Sequence, residues 1–309
     1  MGATCRSVDG QSSARVRSGV LARRRLRSLL RSTGWLFLAI AVVAISSTRT
    51  KADEQTNRIR VEYFVPEDTT LQPIYEMLKK RRALEKLQEI FSPFRLPIEL
   101  TLRTGSCQGV SNAWYERPAV TVCYEYVNEI LQSMPKETTV GITPADAVIG
   151  QFFYVFAHEM GHAVFDIFEA PIFGNAEDAA DQFAAYVMLQ FGMSQARPLI
   201  MGAAFAYKRY VQNPQVIAPL AAFSEAHAAP AQRYFNLLCL AYGADSKLFA
   251  DLVSEGYLPT ERARTCKREY DQVRFAFRKL IVPHLDQQLA RQVLDQTWLP
   301  SDSENRPRN

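Results

Sequence analysis

Two histidines four residues apart, His158 and His162, enclose Glu159 within an otherwise apolar stretch from Phe152 to Phe168. The stretch predicts a helix, on which residues four apart share one face. Both imidazoles can then reach one cation, with the Glu159 carboxylate beside its open side. Zinc accepts imidazole nitrogens, and a catalytic zinc keeps three protein ligands and leaves its fourth position to water. The stretch therefore predicts a helix that supplies two ligands of a catalytic zinc site.

An acidic pair follows on the C-terminal side of this helix. Glu177 lies fifteen residues after His162, and Asp181 lies four residues after Glu177, with small residues between the two. The pattern predicts a second helix packed against the first, and Pro171 and Gly174 break the chain between them. Glu177 then supplies the third zinc ligand. Asp181, one turn further, accepts the outward N–H of a ligand imidazole and fixes its orientation.

The sequence leaves three alternatives to this site open. Histidines of an amphipathic helix can be buried residues with ordinary hydrogen-bond partners. Asp178 or Asp181 can replace Glu177 as the ligand, and acidic clusters are commonly solvated helix faces. The metal can also be structural, but structural zinc is usually closed by four ligands, often thiolates. No Cys or further His lies near these segments in the sequence, which favours an open site.

The two segments resemble the gluzincin metallopeptidases, such as thermolysin, in which H-E-x-x-H is followed by a helix with E-x-x-x-D. Residues 177–181, E-D-A-A-D, are most similar to the membrane CAAX-protease and heat-shock protease branch. A metzincin site is excluded, because its third histidine would fall at Phe168.

The resemblance extends over most of the chain. From about Tyr63 to about Leu285 the chain resembles a group of exported bacterial metallopeptidases without an assigned function. The likeness is strongest in the two zinc segments and at residues 112–115, 123–125 and 233–239. It implies a zinc-dependent endopeptidase of the gluzincin type.

The resemblance also implies a substrate-binding strand. In thermolysin-like enzymes a segment similar to residues 112–115 forms a sheet edge that pairs with the substrate backbone. Asn112 and the main chain of Ala113 are therefore expected to bind substrate by strand addition. The alternative is a hairpin turn with ordinary aromatic packing.

A third segment, residues 227–234, resembles the H-P-x-x-x-x-R segment of the CAAX-protease branch, although Ala228 replaces its proline. The resemblance implies that His227 or Tyr234 donates a hydrogen bond to the reacting oxygen and that Arg233 orients the site. The alternatives are a loop histidine, an arginine paired with an acid on a helix face, and a core tyrosine.

The N-terminal part of the chain is basic and then apolar, as in a secretory signal. Residues 1–51 carry ten Lys or Arg and one acid, a net +9 that leaves −5 for the rest of a chain with net charge +4. Within that part, Trp35 to Ile45 is an apolar run of 11 residues, and Ala44-Ile45-Ser46 offers a cleavage site. We expect an exported protein, periplasmic or secreted; if uncleaved, the segment would anchor it in the membrane. The acidic remainder lacks a basic stripe, which argues against a nucleic-acid partner.

Cysteine usage agrees with export. Beyond the N-terminal segment the chain has four cysteines, Cys107, Cys123, Cys239 and Cys266, which allow three pairings. A Cys107–Cys123 bond would close a loop of hairpin length, and a Cys239–Cys266 bond would clamp the C-terminal helices. Buried free thiols are the alternative, which an oxidising compartment disfavours.

The patterns predict an α+β fold with a small N-terminal β-sheet and helices, the zinc helix pair and a helical C-terminal half. Residues 1–52 are the signal peptide or anchor, 53–300 the metallopeptidase-like domain and 301–309 a disordered tail. Alternating apolar residues predict strands at 60–65, 96–102 and 120–124. Helices are predicted at 71–87 with a turn at 79–82, from Thr143 through the zinc segment, and at 177–192, 195–212, 230–242, 246–254 and 261–282.

Taken together, the sequence predicts an exported metallopeptidase that binds Zn²⁺ and hydrolyses peptide or protein substrates. Glu159 is the expected general base, with His158, His162 and Glu177 as the metal ligands. The alternative is a catalytically silent, exported zinc-binding protein that acts as an interaction module. The presence of Glu159 beside the expected open position favours the peptidase, because a purely structural site has no use for a carboxylate there.

Overall fold

A four-stranded sheet forms the N-terminal part of the structure, a computed structural model that describes residues 57–139, 141–212 and 224–299. The strand order is β1-β2-β4-β3, with β1, β2 and β4 parallel and β3 antiparallel to β4. The strands are β1 Ile59–Tyr63, β2 Leu100–Gly105, β3 Ala113–Glu116 and β4 Ala119–Cys123. The predicted signal segment and the predicted tail lie outside the described residues. Among the described helices, none has the length and apolar character needed to cross a bilayer.

Strand β3 lies at one edge of the sheet and leaves part of its main chain facing outward. The carbonyl of Asn112 accepts from the N–H of Cys123 at 3.0 Å, and Trp114 lies opposite Thr121 on β4. In an antiparallel ladder, bonded and non-bonded pairs alternate. The main-chain groups of Ala113 and Tyr115 therefore point away from β4, towards the open edge.

Two short helices, α1 (Gln72–Lys80) and α2 (Ala83–Phe91), follow β1. Arg82 between them has φ of 51°, which ends the first helix and agrees with the predicted turn. The predicted strand 96–102 begins later, at Leu100. The chain just before this strand pairs with a C-terminal segment and not with the sheet: the N–H of Arg95 donates to the His284 carbonyl at 2.8 Å.

Helix α3 (Tyr124–Ser133) leads to the long helix α4 (Pro144–Ile167), which carries the H-E-x-x-H segment. Thr143 and Asp146 form a reciprocal capping box at its start, as the sequence predicts. Two glycines let other helices approach α4 closely. A Cβ at Gly150 would lie 2.6 Å from the Leu199 carbonyl oxygen, and one at Gly161 would lie 3.2 Å from the Phe183 ring.

The C-terminal half is helical, and the α+β prediction is confirmed. The predicted helix 195–212 is divided at residues 206–207, and the predicted helix 246–254 is reduced to its last turn. At the start of the predicted helix 246–254, the Asp245 carboxylate accepts from the N–H groups of Lys247 and Leu248. These bonds stabilise turns there instead of a helix. The helices are α5 Ala176–Leu189, α6 Met193–Phe205, α7 Lys208–Gln212, α8 Pro230–Ala244, α9 Asp251–Ser254, α10 Thr260–Leu280 and α11 Gln287–Leu294.

Two disulfides join Cys107 to Cys123 and Cys239 to Cys266, which confirms the predicted pairing. The first ties the loop before β3 to the end of β4, and the second ties α8 to α10. Disulfide-bonded proteins are characteristic of oxidising compartments outside the cytosol.

Removal of either disulfide is expected to destabilise the fold. The loops span 16 and 27 residues, for which loop-closure entropy gives about 3 and about 3.5 kcal/mol. We expect Cys107→Ser with Cys123→Ser to lower the free energy of unfolding by about 3 kcal/mol. Urea unfolding of the double variant against the oxidised parent checks this value, and an unchanged midpoint would contradict it.

Candidate metal centre

Helices α4 and α5 bring three predicted metal ligands to one point. The Nε2 atoms of His158 and His162 lie 3.2 Å apart. The Oε2 atom of Glu177 lies 3.1 Å from the first and 3.3 Å from the second. Gly161 favours this convergence, because its missing side chain lets Phe183 and the backbone of α5 pack closely against α4. Glu177 lies in the first turn of α5, and this turn faces the two histidines on α4.

Asp181 and Arg233 hold the far side of His158. The Nδ1 atom of His158 lies 2.7 Å from Asp181 Oδ1, so Nδ1 is held by the carboxylate and Nε2, which faces Glu177 and His162, is the nitrogen available to a metal ion. Arg233 on α8 donates to both carboxylate oxygens of Asp181, each at 2.7 Å, and its guanidinium lies over the Tyr207 ring. Burial opposes ionisation of Asp181, but its bonds to His158 and Arg233 lower its pKa overall.

The electrostatics of the cluster follow from these contacts. Burial disfavours the charged form of His158, yet its bonds to Asp181 and Glu177 raise its pKa to about 9. The hydrogen bond from His158 is the main cause that lowers the pKa of Glu177 to about 2. Burial and the neighbouring His158 lower the pKa of His162. Glu177 is therefore an anion that faces imidazole nitrogens.

Glu159 lies next to the cluster, with 7% of its surface exposed. Burial is the largest cause that raises its pKa, and the charge of Glu177 raises it further. The charge of His158 and a hydrogen bond with the Tyr115 backbone oppose both. Tyr115 is the β3 residue whose main chain faces the open edge. Its hydroxyl donates to Asp166 Oδ2 on α4 at 2.6 Å, and Arg117 donates to the same oxygen at 2.7 Å. The edge strand is thereby tied to the helix that carries Glu159.

His227 joins the cluster from the loop before α8. Its Nε2 atom lies 2.8 Å from Glu177 Oε2, and its ring stacks on that of His158 with 5.7 Å between centroids. Asn175 connects this loop to α5: its Oδ1 accepts from the Glu177 N–H at 2.8 Å, and its Nδ2 donates to the Ala226 carbonyl at 2.6 Å. The sequence predicts that His227 lies at the site, and in the structure it contacts the predicted metal ligand Glu177.

The remaining predicted site residues are Tyr234 on α8 and the pair Asn112 and Ala113. Tyr234 follows Arg233 on α8, and successive helical residues point about 100° apart. Its ring is 5% exposed and packs against Phe235 in the core, where burial and Tyr257 raise its pKa to about 12. Asn112 and Ala113 lie at the start of the edge strand.

Sequence reasoning missed three residues that shape the site. Asn175 carried a local signal as a helix N-cap two residues before Glu177, but its second bond crosses to a distant loop. Tyr115 lies in the segment 112–115 that the resemblance marks, but its contact with Asp166, like that of Tyr207 with Arg233, joins elements far apart in the chain and gave no sequence signal.

The donor set fits a metal ion. Three imidazole nitrogens and one carboxylate oxygen converge, with His158, Glu177 and His227 offering ligand atoms within 4.8 Å of one another. Imidazole with a single carboxylate suits zinc and related transition metals, whereas calcium and magnesium prefer all-oxygen sites. The anchored Nδ1 atom of His158 is the arrangement that orients a metal-binding histidine.

Comparison with known proteins bears on this geometry. No curated protein and no solved structure matches the chain. A family model matches residues 63–281, a range that includes the strands β2 to β4, both segments that carry the predicted metal ligands and His227. Its description names a metallopeptidase, which implies a bound metal. The chain belongs to this family, DUF4344, which is described as "Putative metallopeptidase".

Proposed function

We propose that this protein is an exported zinc-dependent endopeptidase of the gluzincin type. The observation that carries the proposal is the convergence of His158, His162 and Glu177 from two packed helices, with Glu159 beside them. His158, His162 and Glu177 would hold the zinc. When bound, zinc supplies Lewis acidity, which acidifies water and polarises a carbonyl group.

Glu159 is the general base of the proposed reaction. Its carboxylate accepts a proton from the water that attacks the scissile carbonyl carbon and then delivers that proton to the leaving amine nitrogen. Burial and the nearby Glu177 raise its pKa, which makes the carboxylate a better acceptor for the proton of the attacking water. The Tyr115 backbone holds this carboxylate in place from the edge strand.

The edge strand and His227 would bind the substrate around that base. The outward main-chain groups of Ala113 and the outward carbonyl of Tyr115 would pair with an extended peptide as an added strand, while the Tyr115 N–H holds Glu159. The Asn112 side chain lies at the start of that strand and would bind the peptide backbone. His227, whose Nε2 atom lies 2.8 Å from Glu177 Oε2, would donate a hydrogen bond to the oxygen that becomes negative during attack.

The two disulfides support action in an oxidising compartment, which we take to be the periplasm or the extracellular space. The basic and apolar N-terminal segment supports the same destination, as a signal or as a membrane anchor. Extended peptides or proteins are the proposed substrates, and the acidic remainder of the chain gives no support to a nucleic-acid partner.

His162→Ala tests the metal site. We expect the parent protein to purify with about one zinc per chain and the variant to lose most of it, because one of three ligands is removed. Elemental analysis and hydrolysis of a peptide library, with and without a chelator, provide the measurements. His284→Ala is the control, since His284 stacks on Phe168 outside the cluster. Full zinc content in His162→Ala, or chelator-resistant hydrolysis, would rule the proposal out.

Asn175→Asp tests the placement of His227. Aspartate keeps the helix N-cap, but it lacks the N–H that donates to Ala226. We expect kcat to fall about 10- to 100-fold, as for other residues that orient a reacting group. His227→Ala should lower kcat as well, and the double variant should be no worse than His227→Ala alone. Additive losses in the double variant would show that Asn175 acts independently of His227.

A further inference from the structure

A second concave surface lies away from the metal cluster. It is a groove of about 1510 Å³ between the α1–α2 pair, helix α3, the N-terminal part of α4 and the segment after α11. Its apolar wall includes Leu131, Ile149, Phe152 and Trp298, all of which are only partly buried. Its volume exceeds the roughly 300–1,000 Å³ usual for pockets that hold drug-sized ligands. Concave surfaces lined mainly by apolar side chains are the usual ligand-binding sites of proteins.

The charged side chains that line the groove are all cations, as far as the described residues show. Lys80, Arg81 and Lys86 line it from the α1–α2 pair, and no Asp or Glu is among the described residues that line it. The three cations are exposed, and within the described part of the chain they have no ion-pair partner. This cluster stands out, because the chain beyond residue 51 carries a net charge of −5.

Neither terminus of the chain matches this groove chemically. Residues 1–51 contain the apolar run but carry a net +9, which the cationic rim would repel. Residues 300–309 are almost entirely polar and offer no apolar segment for the wall. An occupant that fits both features has an anionic head and a long apolar part.

We propose that the groove binds an anionic phospholipid, with its acyl chains against the apolar wall and its phosphate at Lys80, Arg81 and Lys86. Basic residues near apolar surface are the usual receptors of anionic lipids. None of the candidate metal ligands lines the groove, as far as the described residues show, so this binding is independent of hydrolysis. In an exported protein, such a site would place the chain beside the membrane.

The test uses Trp298, which lines the groove. In the full chain with Trp35→Phe and Trp114→Phe, Trp298 is the one remaining tryptophan of three and reports binding by its fluorescence. Dihexanoyl phosphatidylglycerol and dihexanoyl phosphatidylcholine are titrated below their micelle concentrations. We expect phosphatidylglycerol to shift the emission to shorter wavelength and to bind at least about tenfold more tightly than phosphatidylcholine.

Charge reversal separates the groove from general surface attraction. Lys80→Glu, Arg81→Glu and Lys86→Glu together should weaken phosphatidylglycerol binding at least about tenfold. Reversal of the exposed Arg268, Arg278 and Lys279 on α10 is the matched control and should leave the affinity unchanged. The proposal is overturned if both lipids bind equally, if neither shifts the Trp298 emission, or if the two triple variants behave alike. Peptide hydrolysis plays no part in the assay, so failure of the peptidase proposal leaves this result interpretable.

Discussion

Glu159→Gln is expected to abolish most peptide hydrolysis while leaving the metal in place. General acid–base catalysis by a positioned side chain contributes about 10²- to 10⁴-fold, and kcat should fall by that factor. Glutamine has nearly the same shape, so the packing around residue 159 is preserved, but it accepts no proton from the attacking water. The Tyr115 backbone can still donate to its side-chain oxygen. Elemental analysis and kcat on a peptide substrate give the two readings.

The exposed Glu169→Gln, just beyond the end of α4, is the matched control for Glu159→Gln. It makes the same chemical change two residues beyond the helix and should leave both zinc content and kcat at the parent level. A Glu159→Gln protein with full activity would show that another group takes the proton. A protein that has lost its zinc as well would show that Glu159 is a ligand, not a base.

The local parts of the site could be predicted from the sequence because they depend on spacing along helices. His158 and His162 share a face at i, i+4, and the same spacing brings Glu177 and Asp181 onto one face of α5. The cap at Thr143 is equally local, since its partner Asp146 is three residues away. In each case the backbone geometry of one helix fixes the relation between the side chains.

The remaining contacts could not be predicted in this way because they join distant elements. Arg233 lies 52 residues from Asp181, and Asn175 lies 51 residues from Ala226. Tyr115 contacts Asp166 at the same separation of 51. Such contacts depend on how the sheet edge, α4 and α8 pack together, which no local pattern encodes. The substrate-binding role of Asn112 and Ala113 and the catalytic role of His227 remain predictions.

The exchange Asp181→Asn should weaken both the fold and the metal site. Arg233 would keep its charge in a buried position without its carboxylate partner, and breaking such a pair costs about 3–5 kcal/mol. The Arg233 guanidinium keeps its contact with the Tyr207 ring, so its charge is not left in wholly apolar surroundings and we expect a loss near the lower figure. His158 would lose the acceptor that fixes its tautomer, which lowers metal affinity about 10- to 100-fold in comparable sites.

Asp178→Asn provides the comparison that isolates these two effects. It removes an equal charge from the same helix, three residues before Asp181, so a general change in the charge of α5 would appear in both variants. The free energy of unfolding in urea and the zinc affinity measured by competition with a chelator should therefore both fall for Asp181→Asn. Both should stay near the parent values for Asp178→Asn. A larger zinc loss in Asp178→Asn would instead make Asp178 the acidic ligand. Equal, small changes in both would mean that the Arg233–Asp181 pair does not hold His158.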